Sequence, residues 1–144
     1  MDVNLYIADS WNGPSRKTGT AMWMLTCMIK DKEYTKKGFV TAENGTQVMG
    51  NLLAVIDAIG HLNKPCRILC HMNCGHVITG IKESRWIGWE SSGWMNRRGQ
   101  PVRNRELWER LGKESRIHSF DFPEGKNPYA GFMEMEIRKE RGER

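Results

Sequence analysis

The feature that most constrains this fold is an amphipathic segment between two groups of predicted strands. Its apolar side chains recur at the spacing of one helix face, at Val48, Leu52, Val55, Ile56 and Ile59. This predicts a helix over residues 47–62, with Thr46 as a suitable N-cap and the Asn63-Lys64-Pro65 turn as its end. Because strands lie on both sides of it, the helix is a crossover, which lets the strand after it run parallel to the first one.

Three strands precede that helix and two follow it. Residues 3–9 alternate apolar and polar, and the Asn-Gly-Pro breaker ends this first strand. Residues 20–29 and 33–40 complete an antiparallel meander, and residues 67–71 and 119–122 form the fourth and fifth strands. The sequence therefore predicts an α/β fold with a five-stranded mixed sheet, three strands antiparallel and two parallel, flanked by helices. Further helices are predicted over residues 74–83, over residues 105–111 with Asn104 as a cap, and over residues 130–140.

Asp9 stands at the end of the first strand, where α/β sheets bind their ligands. Two interpretations are open from this stretch alone. The carboxylate serves a functional site, or it begins a turn, because Asp is a common turn residue.

The composition fits one domain over residues 1–144. A formal charge of +5 and a pI of about 9.2 favour a polyanionic partner. No apolar run approaches the roughly 18–20 residues of a membrane span, and the N-terminus lacks a signal-peptide pattern. We therefore expect no membrane partner and a cytoplasmic location. Cys66, Cys70 and Cys74 lack paired C-x-x-C spacing, so reduced thiols are expected rather than a metal site.

Residues 85–108 combine tryptophan and arginine and contain only Glu90 and Glu106 as acids. Core packing is the ordinary role of each tryptophan, and arginines often form a solvated face. The concentration of arginine nevertheless favours nucleic-acid binding, because arginine contacts phosphate well. The residues concerned are Trp86, Trp89, Trp94 and Trp108, with Arg85, Arg97, Arg98, Arg103 and Arg105.

Four segments of the chain form one ordered pattern. They are the Asp9-Ser10 pair with the Asn12-Gly13-Pro14 turn, the helical segment 51–59, residues 68–77, and residues 80–111. In this order they resemble the ribonuclease H family, and its bacterial type 1 enzymes in particular. The resemblance covers nearly the whole chain and is weakest after Pro123. It implies a ribonuclease H-like fold in which the segment of about 84–105, here called the handle, is a basic protrusion.

The family cleaves the RNA strand of RNA–DNA hybrids with two Mg²⁺ ions held by four carboxylates. The resemblance places these four catalytic positions at Asp9, Asn51, Asn73 and Glu134. Two of the four are amides, which supply no net charge to offset the ions, so Asp9 and Glu134 remain as candidate metal ligands. The family's mobile histidine is also missing from the loop before the last helix, where Lys126 is nearest.

The site leaves three questions open. If the resemblance holds position by position, we expect Asp9, Asn51 and Asn73 to come together within ~8 Å, since two-metal sites span ~4 Å between ions. Asp9 either binds a metal or accepts a hydrogen bond from Asn73. Glu134 is either a ligand or a solvated helix charge.

The expected function is binding of an RNA–DNA hybrid or another duplex, with cleavage weak or lost. Mg²⁺ or Mn²⁺ is the expected cofactor if cleavage survives, and none is needed otherwise. An active nuclease in which Glu43 or Asp57 replaces a lost ligand is one alternative. A protein-interaction module on the same fold is another. Nucleic-acid contacts are expected at Asn12, Gln47, Arg85, Trp89, Arg97, Arg98, Arg103 and Arg105.

Overall fold

Five strands form one sheet in the computed structural model, which describes residues 1–143. The strands are β1 (Asp2–Asp9), β2 (Lys17–Ile29), β3 (Lys32–Gly45), β4 (Arg67–His71) and β5 (Ser119–Asp121). Their order across the sheet is β3-β2-β1-β4-β5. β1 pairs antiparallel with β2 and parallel with β4, and β4 pairs parallel with β5. The predicted mixed sheet, with three antiparallel and two parallel strands, is confirmed.

The helices follow the predicted order with changed ends. They are α1 (Gln47–Ile59), α2 (Gly75–Lys82), α3 (Arg85–Ser91), α4 (Arg105–Glu114) and α5 (Ala130–Glu140), with a 3₁₀ turn at Ser115–Ile117. The Thr46 hydroxyl accepts the N–H of Met49 at 3.2 Å, as expected of an N-cap. Asn104 stands at the start of α4 with φ at 60°, and its side chain makes no capping bond, so that part of the prediction was wrong. No helix within residues 1–143 is long and apolar enough to cross a membrane.

The two faces of the sheet carry different helices. Val3, Leu5 and Ile7 of β1 belong to the main core with α1, whereas Tyr6 packs with Met133 of α5 on the other face. Side chains alternate along a strand, so Asp9 shares the α1 face with Ile7. The Asp9 side chain therefore lies on the side of the sheet that α1 covers.

Trp11 is a buried residue to which the sequence assigned no role. Its indole N–H donates to the carbonyl oxygens of Gly45 at 3.0 Å and Lys17 at 3.3 Å. These contacts lie where β2 and β3 pair beyond their predicted ends, through the Lys17–Gly45 pair and a bulge. Added side-chain carbons at Gly19 or Gly50 would stand 2.4 Å from the ring, so both glycines are required by close packing. Trp11 thus joins the turn after β1 to β2, β3 and α1.

We predict that Gly50→Ala destabilises the protein although alanine favours helices. Alanine in place of a helical glycine normally stabilises by up to about 1 kcal/mol. At Gly50 the new carbon meets the Trp11 ring, and overpacking of a core costs about 1–3 kcal/mol. Urea unfolding measures the difference. Gly88→Ala in α3 is the matched control, because its added carbon meets no atom within 4 Å. Equal gains in both variants would contradict the packing account.

Candidate functional site

The carboxylate of Asp9 accepts three hydrogen bonds at the end of β1. Its Oδ1 accepts the backbone N–H of Trp11 at 2.9 Å. Its Oδ2 accepts the side-chain amides of Asn51 at 3.0 Å and Gln47 at 3.1 Å. Gln47 and Asn51 lie four residues apart on α1, so both amides lie on one helix face. One acid therefore links β1, the Trp11 turn and the first two turns of α1.

Asn51 is 1% exposed, and the orientation of its amide follows from its neighbours. Its Nδ2 also donates to the carbonyl oxygen of Gln47 at 2.9 Å. A flipped amide would place oxygen against two acceptors, so nitrogen must face Asp9. The cost is that Oδ1 is buried without a hydrogen-bond partner in the described part of the chain. Asn51 thus acts towards Asp9 as a donor.

These donors make the site a poor fit for two magnesium ions. Mg²⁺ prefers oxygen ligands and anionic charge. Here Asp9 Oδ2 faces two N–H groups, and the orphaned Asn51 oxygen is sealed from solvent. Within residues 1–143, no group of three or more His, Cys, Asp or Glu side chains is arranged to hold a metal ion. The residues present do not fit the ligand set that the resemblance implies.

Asn73 lies two residues beyond β4 and is exposed. His71 pairs with Tyr6, so the parallel register continued by two residues brings Asn73 level with Ala8, near the end of β1. The next residue, Cys74, is buried, and burial followed by the charge of Asp9 raises the pKa of its thiol. Asn73 therefore stands at the expected end of the sheet. One of the two alternatives for Asp9 was a hydrogen bond from Asn73, and in the structure the asparagine that donates to Asp9 is Asn51.

Glu134 lies on α5, which packs on the sheet face opposite α1. It follows the buried Met133 and is itself exposed. Among residues 1–143 its carboxylate makes no hydrogen bond or ion pair. These observations favour the solvated-charge interpretation of Glu134.

Neither acid proposed as a replacement ligand bonds to the Asp9 cluster. Asp57 accepts the indole N–H of Trp23 at 2.7 Å, further along α1. Glu43 is exposed on β3. The rebuilt metal site therefore has no support in the geometry.

The handle ends in a short, hydrogen-bonded hairpin. Met95 and Pro101 form a β-bridge, and the Val102 N–H donates to the Trp94 carbonyl at 2.9 Å. The Asn96 Oδ1 accepts the backbone N–H groups of Arg98 and Gln100, both at 2.9 Å. These bonds fix the backbone on both sides of the tip, which carries Arg97 and Arg98.

The five arginines of the handle differ in their surroundings. Arg85 pairs with Glu83 at 2.8 Å, and Arg105 pairs with Glu109 at 2.5 Å. Within the described residues, no acid pairs with the remaining three, which are exposed: Arg97, Arg98 and Arg103. The guanidiniums with the most freedom to contact a ligand are therefore those at and beside the hairpin tip.

Trp89 packs within the protein rather than presenting a free ring. Its ring centroid is 5.4 Å from that of Trp108 in an edge-to-face pair and 6.1 Å from that of Trp94. Trp108 is 1% exposed and lies against Gly80, where an added carbon would be 2.3 Å from its ring. This cluster fastens α3 and the hairpin to α2 and α4.

Asn12 and Gln47 were both expected to contact nucleic acid. Asn12 is exposed, which is compatible with such a contact. The Gln47 amide is instead bound to Asp9. The signal that was overlooked is the spacing of Gln47 and Asn51, which places two amides on one helix face.

Proteins similar to this chain in sequence carry the names ribonuclease H and ribonuclease HI. No protein-family model matches it. A ribonuclease H of Xanthomonas campestris pv. campestris is 42% identical over 80 residues, 55% of this chain and 52% of the relative. A ribonuclease HI of Xylella fastidiosa is 34% identical over 122 residues, 83% of this chain and 76% of the relative. The chain thus matches about half the length of the first relative and three quarters of the second.

Solved structures give the same fold at lower identity. A type 1 RNase H with the type 2 active-site motif superposes with a TM-score of 0.76 at 17% identity, covering 98% of this chain and 72% of that one. The foamy viral protease-reverse transcriptase in complex with an RNA/DNA hybrid gives 0.65 at 11% identity, covering 96% of this chain and 19% of that one.

We predict that Trp89→Ala destabilises the protein by about 2–3 kcal/mol, because it removes a partly buried ring from the tryptophan cluster. The measurement is the free energy of unfolding in urea. Ile87→Ala is the control on the same helix, since Ile87 is 59% exposed and should stay within about 0.5 kcal/mol. If Trp89→Ala instead weakened nucleic-acid binding with stability unchanged, the ring would be a contact residue.

Proposed function

Because this chain belongs to the ribonuclease H family, bacterial type HI, we propose that it binds RNA–DNA hybrids or other nucleic-acid duplexes, with cleavage weak or lost. The observation that carries the proposal is the pair of exposed arginines, Arg97 and Arg98, on the fixed hairpin tip. The proposal treats residues 1–144 as one domain and keeps the expected cytoplasmic location.

Duplex binding suits the handle because of how its charges are held. Arginine presents a planar fork of donors that matches phosphate oxygens. The Asn96 hydrogen bonds and the tryptophan cluster hold the backbone in place, so little backbone freedom is lost when phosphate binds. Arg103 adds a third exposed guanidinium close in sequence. Contacts of this kind recognise the backbone and carry no base sequence.

Weak or lost cleavage is proposed because two of the four expected catalytic positions carry amides instead of acids. Two-metal phosphodiester cleavage needs anionic oxygens that hold both ions against the attacking and leaving oxygens. Asn51 and Asn73 remove half of that charge. The Oδ2 atom of Asp9 already accepts two N–H donors. Glu134 lies on α5, which packs on the sheet face opposite α1. The family fold thus keeps its binding surface without a full set of ligands.

One labelled RNA–DNA hybrid, incubated first with Mg²⁺ and then with Mn²⁺, tests both halves of the proposal. We expect salt-sensitive binding and little or no cleavage with either ion. Robust Mg²⁺-dependent cleavage that Asp9→Asn abolishes would establish the active nuclease instead. Absence of binding to any duplex at low salt would favour the protein-interaction module.

We predict that Arg97→Ala combined with Arg98→Ala weakens binding to all duplexes about equally. Each phosphate contact contributes about 0.9 to the slope of log affinity against log salt, so the slope should fall by roughly 1–2. Arg138→Ala combined with Lys139→Ala is the control. It removes the same charge from adjacent exposed residues of α5, on the other face of the sheet. Equal losses in both double variants would mean that net charge, and not the handle, governs binding.

A further inference from the structure

We infer that the amides of Gln47 and Asn51 take the place of a metal ion, so that Asp9 serves as a structural anchor and the site is complete without divalent cations. The inference concerns how this end of the sheet is held together. It goes beyond the proposed function, and its thermal test does not depend on nucleic-acid binding.

The charges around Asp9 differ from those of a two-metal site. In a two-metal site several carboxylates face one another, and without ions they repel. Removing one such acid therefore relieves strain in the metal-free protein. Asp9 is in the opposite situation, because three N–H groups converge on its two oxygens and, among residues 1–143, no other acid bonds to the cluster. Hydrogen bonds to an ionised acceptor are among the strong ones, so Asp9 should stabilise the metal-free protein.

Asp9 connects several elements of the fold. Its Oδ1 accepts the N–H of Trp11, and the Trp11 indole in turn donates to the carbonyls of Lys17 and Gly45. Its Oδ2 accepts the amides of Gln47 and Asn51 of α1. One carboxylate thus connects the end of β1 with the paired ends of β2 and β3 and with the start of α1. Only the link to α1 runs through the amides, so this is the connection that a metal ion would otherwise have to make.

A cation at Asp9 would have to displace hydrogen bonds that are already formed. To reach Asp9 Oδ2, an ion must break the bonds from both side-chain amides. To offer its oxygen, Asn51 must turn its amide and also lose the bond to the Gln47 carbonyl. The amide would then coordinate without adding charge. The network therefore excludes Mg²⁺, because the amides of Gln47 and Asn51 already bond to the Asp9 oxygen that the ion would need.

The experiment measures the thermal midpoint, Tm, in EDTA and in Mg²⁺ at equal ionic strength. The unaltered protein should give the same Tm in both buffers. Asp9→Asn replaces one of the two acceptor oxygens with an NH₂ group that must face an N–H donor, and should lower Tm in EDTA by about 5–10 °C. Glu43→Gln is the charge-matched control, because Glu43 is exposed and lies outside the hydrogen-bonded cluster, and its Tm should change little.

A variant that restores the acids completes the test. Asn51→Glu replaces a donor to Asp9 with a like charge, and Asn73→Asp adds another acid at the same end of the sheet. We expect a lower Tm in EDTA, recovered at least in part by Mg²⁺, because bound ligand stabilises the folded state. If Asp9→Asn does not fold, the anchor role is supported, and the Mg²⁺ response of the unaltered protein still tests exclusion of the ion.

Two results would overturn the inference. One is an Asp9→Asn variant as stable as Glu43→Gln or more stable than the parent, as expected for a repelling metal site. The other is a saturable rise in the Tm of the unaltered protein with Mg²⁺. Duplex affinity measured in the same two buffers separates this inference from the proposed function. Affinity should be equal with and without Mg²⁺, whereas loss of binding in both buffers would refute duplex binding and leave the thermal results standing.

Discussion

The hydrogen bonds to the Asp9 carboxylate are the interaction on which the candidate site depends. They join the end of β1 to the first turns of α1 and to the buried Trp11 turn, where β2 and β3 also meet. At this end of the sheet the acid is held by amide donors from α1 rather than by other acids. Asn51 supplies one of those donors and Gln47 the other. On the proposal of weak or lost cleavage, the amide at Asn51 both lowers the charge available to a metal ion and satisfies Asp9.

The handle depends on a different interaction, the packing of large rings against small residues. Trp108 lies against Gly80, and Trp86 lies within 2.7 Å of where a side-chain carbon of Gly112 would stand. This packing lets α2, α3 and α4 approach closely and gives the hairpin a fixed base. Arginines on such a base keep their charged ends in solvent and leave the core undisturbed. The exposed arginines and the core are therefore separable, and arginine variants can test the proposed binding without unfolding the protein.

Much of the fold could be predicted because it rests on periodicity. Alternation in β1 and the helical spacing of α1, which forms the crossover between β3 and β4, predict the sheet and bring the end of β1 close to α1. The contacts at the site could not be predicted in the same way. Whether Asn51 or Asn73 reaches Asp9 depends on side-chain directions at a strand end, which position in the sequence does not specify. Likewise, β3 extends past Val40 because Trp11 and close-packed glycines support the added pairs, and those contacts are distant in sequence.

The most direct test follows the side-chain amide signals of Asn51 and Gln47 by ¹H–¹⁵N NMR during a titration with Mg²⁺. An amide held between Asp9 and the Gln47 carbonyl should give resolved signals that exchange slowly with water. The account predicts that these signals keep their positions as Mg²⁺ is added, apart from small linear changes caused by salt. Saturable shifts of both amides, accompanied by faster exchange, would show that an ion displaces them from Asp9 and would contradict the account.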